Sequence, residues 1–170
     1  AINLCLKAVT NPGDTVAVES PTYFGITQAI ESLGLKVVEI TTDPVTGIDL
    51  DHLQKAIRKF SIKACVFVPN YNNPLGSCMP DENKKKLVEM ITKHNIPLIE
   101  DDIYGELYFG KTRPRNCKYY DTKGLVMYCS SFSKSLSPGY RIGWVIPGKF
   151  FDTIKQLKRI QNISSPTLTQ

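Results

Sequence analysis

Between Ser130 and Gly143 the chain gathers Ser131, Ser133, Lys134 and Arg141 into one short stretch broken by Pro138 and Gly139. The run before it, Leu125 to Cys129, is continuously apolar and reads as a buried strand. Hydroxyl and guanidinium groups hold an anion, and a neutral lysine amine attacks a carbonyl. An anion site containing a reactive amine, set at the end of a buried strand, is one reading. A polar βα loop with a surface lysine is the other, and this stretch alone does not separate them.

The elements that must position those residues alternate. Ala1 to Val9 reads as a helix already under way, stopped by the turn Asn11-Pro12-Gly13-Asp14. Thr15 to Glu19 is a short apolar strand. Ile26, Ala29, Ile30 and Leu33 then fall at helical spacing, with Gly34 near the C-cap. Lys36 to Ile40 is a second strand, Asp43 to Gly47 a turn, and Asp49 to Arg58 a helix. Ala64 to Val68 is a buried strand ended by Pro69, and Asn70 to Gly76 is a loop of turn residues. Pro80 to Lys93 is the clearest helix, with Pro80, Asp81 and Glu82 in its first turn. Pro97 to Glu100 is a strand running into Asp101. Gly105 to Gly124 is less regular. Leu125 to Cys129 and Ile142 to Ile146 are strands, and Lys149 to Ile160 is a closing helix. Continuous apolar strands alternating with helices predict an α/β fold: a mainly parallel sheet covered on both faces. In such sheets ligands gather at the carboxyl ends of the strands.

Four of those ends carry groups suited to one ligand. Tyr23 follows the first strand, Asn73 the third, Asp101 and Tyr104 the fourth, and Ser131, Ser133 and Lys134 the fifth. Pyridoxal phosphate would use all of them. Lys134 would form a Schiff base with its aldehyde, and Asp101 would pair with the protonated ring nitrogen. Asn73 and Tyr104 would donate to the phenolic oxygen, and Tyr23 would stack on the ring. Arg141 and Ser131 would hold the phosphate. Each residue has a plainer reading. Asp101 serves equally as a helix cap or turn residue, Asn73 before Pro74 as turn chemistry, Tyr23 as a core aromatic, and Arg141 as the partner of a surface acid. Asp102 is expected to project elsewhere, as a capping residue.

Three ordered motifs then carry a family resemblance. Asn73-Pro74-Leu75-Gly76 is similar to an N-P-x-G motif, and Asp101-Asp102-Ile103-Tyr104 to a D-x-x-Y motif. Ser131-Phe132-Ser133-Lys134 with Gly139-Tyr140-Arg141-Ile142-Gly143 is similar to S-x-S-K…G-x-R-x-G. Together they resemble the fold-type I enzymes of the aspartate aminotransferase superfamily. The wording from Glu19 to Gly25, Glu100 to Gly110 and Ser130 to Trp144 is closer still to the aminotransferase-like domain of MocR-type regulators in the GntR group. It also resembles the 2-aminoadipate aminotransferase-like enzymes. The resemblance implies a three-layer α/β/α large domain with strand order 3-2-4-5-6-7-1 and strand seven antiparallel. Thr15 to Glu19 would be strand two and Ile142 to Ile146 strand seven. Residues 1–170 would then be part of one such domain, without its first strand, its glycine-containing phosphate loop or the small C-terminal domain, and strand seven would present an unpaired edge.

The rest of the composition excludes more than it selects. A net charge of +5 is mild, and Lys84-Lys85-Lys86 is expected to be a solvated helix face, not a nucleic-acid patch. The five cysteines form no C-x-x-C pair, which points to free thiols in a reducing cytoplasm. His52 and His94 have no ligand-spaced companions, so no metal site is expected. No run is long enough to span a bilayer. The final residues, Ser165 to Gln170, contain no closing element and read as the cut end of a longer protein. The implied partners are an amino acid or 2-oxo acid and, in the full-length parent, a second copy of the chain. DNA would be bound only through a separate N-terminal domain.

Overall fold

The structure, a computed structural model, describes residues 1–162, 164 and 165; the expected open end at 166–170 lies outside the described residues. Its elements are α1 (Ile2–Val9), β1 (Thr15–Ser20), α2 (Phe24–Ser32), β2 (Lys36–Asp43), β3 (Gly47–Ile48), α3 (Leu50–Lys59), β4 (Ile62–Phe67), α4 (Asp81–Lys93), β5 (Leu98–Asp101), β6 (Val126–Ser131), β7 (Gly143–Ile146) and α5 (Phe151–Gln161). The strands form one sheet in the order β3-β2-β1-β4-β5-β6-β7. Pairings from β2 through β6 are parallel, and β6–β7 and β2–β3 are antiparallel. The order from β2 to β7 reproduces 3-2-4-5-6-7 of the expected topology, with β7 antiparallel at the sheet's edge.

The seventh strand is a different one from that expected. Where the sequence predicted only a turn, β2 runs on to Asp43 and a two-residue β3 folds back against it. The cause is local. Asp43 Oδ1 accepts from Val45 N and Thr46 N, both at 2.8 Å, and Gly47 adopts φ 77°, so the chain reverses tightly enough for Thr42 to face Ile48. The irregular stretch 105–124 holds one short 3-10 turn, Cys117–Tyr120, and α5 starts later than expected, after a 3-10 turn over Gly148–Phe150.

Two apolar layers sandwich the sheet. Val16, Val18, Ala64, Val66, Ile99, Met127 and Cys129 face α1, α2 and α5 through Leu6, Ile26, Ile30 and Ile154. Ala17, Cys65, Phe67, Leu98 and Val126 face α3 and α4 through Leu53, Leu87 and Ile91. Each large side chain buried in this way contributes about 1.5–3 kcal/mol. The period-2 alternation of the strands assigns every residue to one layer or the other. No helix among the described residues is long and apolar enough to cross a membrane.

Polar groups inside the second layer tie the irregular stretch to the sheet. Lys84, expected on a solvated face, is instead 1% exposed, and its Nζ donates to the Arg115 carbonyl at 2.7 Å. Lys85 and Lys86 are the exposed members of that run. The buried Glu100 accepts from Cys117 N at 2.6 Å and Lys118 N at 3.0 Å. Burial pushes its carboxyl up to about 7. A carboxyl raised on folding contributes stability that is complete below its unfolded value and lost as pH rises through the folded one. In urea unfolding, the excess stability at pH 5 over pH 7.5 is therefore expected to shrink by about 2–3 kcal/mol in Glu100→Gln. An unchanged difference would show that Glu100 does not titrate in this range.

Candidate active site

The alternation that builds the core also aims the polar residues beyond it. Ile99 and Cys129 belong to the layer under α1, so Asp101 and Ser131, each two residues further on, emerge from that same face above the end of the apolar layer. Asp101 lies opposite Cys129 in the β5–β6 register. Tyr23 arrives from the end of β1 as the residue that caps α2. Gly25 permits its placement, since a Cβ there would fall within 3 Å of the Tyr23 ring carbons. Asn73 comes from the loop after β4.

These side chains surround two adjoining cavities. The first, of about 150 Å³, is lined by Tyr23, Val68, Asn73, Asp101, Ile103, Tyr104 and Lys134. The second, of about 370 Å³, shares Tyr23, Asp101 and Ile103 and adds Ser131, Ser133 and Arg141 among its walls. All eight residues singled out in the sequence thus meet at one place. Tyr23 is 40% exposed, which removes the core-aromatic reading. Lys134 Nζ lies 5.6 Å from the centroid of the Tyr104 ring, within cation–π range. Asn73 Nδ2 reaches the Tyr104 hydroxyl at 3.5 Å. Ser131 Oγ accepts from Ser133 N at 3.2 Å, closing the turn that carries Lys134. Arg141 sits at φ 53°, and its guanidinium donates to the Pro138 carbonyl at 3.0 Å. Gly143 lets the return strand pass close, for a Cβ there would stand 2.9 Å from the Ser130 carbonyl oxygen.

Asp101 and Asp102 have opposite surroundings. None of the five ion pairs among the described residues includes Asp101. Burial, reinforced by the charge of Asp102, pushes the Asp101 carboxyl up to about 6. Asp102 projects to a different side, as the sequence suggested, but serves there as a buried ion-pair partner and not as a cap. It points into the other layer and is 1% exposed. There it pairs with Arg113 at 2.5 Å and accepts from Tyr128 OH at 2.9 Å and Asn70 Nδ2 at 3.0 Å. Strand alternation forces the two acids apart, and the deeper one is compensated by a cation supplied from the irregular stretch. Gly105 makes room for the pair, since a Cβ there would lie 2.5 Å from Asp102 Oδ2 and 2.6 Å from the Arg113 guanidinium.

Arg113, Asn70, Asn72 and Glu19 were not legible as site residues. Arg113 lies in a stretch without periodicity, and the asparagines were indistinguishable from turn residues. Glu19 carried a usable signal: a carboxylate closing an apolar strand needs a partner. It is 1% exposed, and its Oε2 accepts from Val68 N at 3.0 Å and Asn72 Nδ2 at 2.6 Å. Burial raises its carboxyl to about 7.

The contrast between the two acids predicts different costs. Asp102→Asn should lower the unfolding free energy at pH 7 by about 2–3 kcal/mol, because the buried acceptor of the Arg113, Tyr128 and Asn70 hydrogen bonds loses its charge while Arg113 keeps only Glu106. Asp101→Asn should cost no more than about 1 kcal/mol, since folding already disfavours its charge. Urea unfolding of both variants checks this, and equal losses would contradict it.

The family model for aminotransferase class I and II matches residues 1–170. The chain is 48% identical over 158 residues to the HTH-type transcriptional regulator YjiR of Escherichia coli K12, covering 93% of this chain and 34% of that protein. It is 45% identical over 170 residues to the HTH-type regulator YdcR of the same organism, covering all of this chain and 36% of the regulator. The chain therefore spans about a third of the length of these relatives. Among solved structures it superposes on the α-aminoadipate aminotransferase LysN of Thermus thermophilus, complexed with N-(5'-phosphopyridoxyl)-L-leucine. The TM-score is 0.93 at 28% identity, over 99% of this chain and 44% of that one. With its sheet order, its strand-end residues and these matches taken together, the chain belongs to the aminotransferase class I and II family.

Proposed function

We propose that this chain is the cofactor-anchoring part of a pyridoxal phosphate-binding, aminotransferase-like domain, and that in its parent the domain is the effector-binding part of a GntR/MocR-type transcriptional regulator. The observation that carries the cofactor reading is the donor set around the two cavities. A primary amine, a carboxylate without a cation of its own, two groups able to donate to one oxygen and an aromatic face line the first. Two serines and an arginine line the second. An unpaired carboxyl raised by burial suits a cationic ring nitrogen, whose arrival would return it to its charged form.

When bound, the cofactor supplies an aldehyde that captures primary amines and a cationic ring that accepts an electron pair. Lys134 would provide the amine of attachment and, when its amine is free and neutral, a base able to move a proton. Asp101 would pair with the ring nitrogen and hold it protonated. Asn73 and Tyr104 would donate to the ring oxygen, Tyr23 would offer its aromatic face to the ring, and Ser131, Ser133 and Arg141 would hold the phosphate. The small-molecule partner would be an amino acid or a 2-oxo acid, of which only the amino acid carries an amine that could take the place of Lys134. A second copy of the full-length protein completes the site, and DNA is bound by a domain outside this chain. The parent works in the cytoplasm, in keeping with five free cysteines among the described residues.

Similarity to YjiR and YdcR favours the regulator. The superposition on LysN favours a second reading, a catalytically active aminotransferase of the 2-aminoadipate aminotransferase-like kind, transferring the amino group between an amino acid and a 2-oxo acid. The two share every anchor residue, so the test must read turnover. Full-length protein loaded with pyridoxal phosphate is expected to show a visible absorbance band that Lys134→Ala abolishes. Persistence of the band in that variant would overturn the Lys134 assignment. Addition of a panel of amino acids to the loaded protein then separates the readings. A band that shifts and returns without release of 2-oxo acid supports the regulator, and stoichiometric release of 2-oxo acid supports the enzyme.

A further inference from the structure

Asn70, Asn72 and Asn73 stand within four residues, yet only Asn73 lines the cavity. The other two are 0% and 2% exposed, and each is gripped by a buried carboxylate at the end of a different strand. Asn70 Nδ2 donates to Asp102, beyond β5. Asn72 Nδ2 donates to Glu19, on β1. The hold on Asn72 is complete. Its Oδ1 accepts from Leu75 N at 3.2 Å, its N–H donates to the Ser77 carbonyl at 2.9 Å, and its carbonyl accepts from Gly76 N at 2.5 Å. The same Glu19 oxygen also takes Val68 N, so one carboxylate joins the ends of β1 and β4 to the turn that follows. Asn73, by contrast, has one hydrogen bond among the described residues, the 3.5 Å contact to Tyr104, which leaves its amide free to turn to a ligand.

We propose that Glu19 and Asn72 are positioning residues that aim Asn73 into the cofactor cavity. They touch no part of the cavity themselves and act from the opposite side of the sheet. Asn72 is buried against Glu19 while its neighbour Asn73 lines the cavity, so holding Asn72 in place sets the direction in which Asn73 leaves the turn. A carboxyl group suits the task because one of its oxygens can accept two N–H groups at once. Loss of the grip leaves the turn closed by its backbone bonds but free to swing. The assignment rests on the cofactor reading given above.

The test uses full-length protein loaded with pyridoxal phosphate, with the pH midpoint of its visible absorbance as the readout, since a hydrogen bond to the ring oxygen moves that midpoint. Asn73→Ala is the reference variant. Asn72→Leu and Glu19→Leu are expected to move the midpoint in the same direction and at least half as far, and to weaken cofactor binding about three- to tenfold. Glu19→Gln, which keeps an acceptor oxygen, should restore the wild-type midpoint. Should either leucine variant fail to fold, Asn72→Ser and Glu19→Ala take its place in the comparison. A midpoint that moves in Asn73→Ala but stays at the wild-type value in the Asn72 and Glu19 variants would overturn the positioning role alone. A midpoint unmoved by Asn73→Ala would overturn the role of Asn73, and with it this inference.

Discussion

Two consecutive acids at the end of β5 must go to opposite sides of the sheet, and the site depends on that constraint. Strand geometry allows no other outcome: Asp101 follows Ile99 out of the layer under α1, and Asp102 follows Glu100 into the layer against α4. A buried carboxylate without a partner would be intolerable, so Asp102 is met by Arg113, Tyr128 and Asn70. That network fixes the end of β5, the start of the 70–78 loop and the irregular stretch in one place. Asp101 is partly buried and has no ion pair among the described residues, a condition that lets a carboxylate take up a positive charge on a ligand. Structural charge and functional charge differ here by one residue and by which side of the sheet they reach.

The same division runs through the other strand ends. Glu19 and Glu100 are buried carboxyl groups on the side away from the cavity, Glu19 accepting from Val68 N and the Asn72 amide and Glu100 from two backbone N–H groups, and each is raised to about 7 by burial. They stitch loops to strands. On the cavity side, Tyr23, Lys134 and Arg141 are exposed and lightly bonded. Stability is concentrated beneath the sheet and ligand-directed groups above it, as expected where binding residues are carried on loops held by a rigid scaffold.

Much of this could be read from the sequence because the informative signals are local or periodic. Continuous apolar strands such as Val126 to Cys129 announce a sheet buried on both faces, and the parallel order followed. The eight candidate residues stood out because all but Arg141 follow strand ends, where α/β sheets bind ligands. What escaped was set by tertiary contact. The β3 hairpin depends on the Asp43 turn and a glycine at positive φ, which composition alone presents as an ordinary turn. Lys84 looked like one of three surface lysines until the Arg115 carbonyl came within reach of its Nζ. Asp102 looked like a cap because nothing near it in sequence announced Arg113, eleven residues on in a stretch without periodicity.

Regulator and enzyme share the anchoring half of the site, since both need the cofactor held in the same way. Their difference must lie in what happens to the ligand after capture, which residues outside this chain help to decide. Both readings rest on Lys134 as the proposed amine for pyridoxal phosphate. Borohydride reduction of the loaded full-length protein, followed by peptide mapping, reads that attachment out. A single stable adduct on the peptide containing Lys134 is expected. An adduct on another lysine, with Lys134 unmodified, would contradict it.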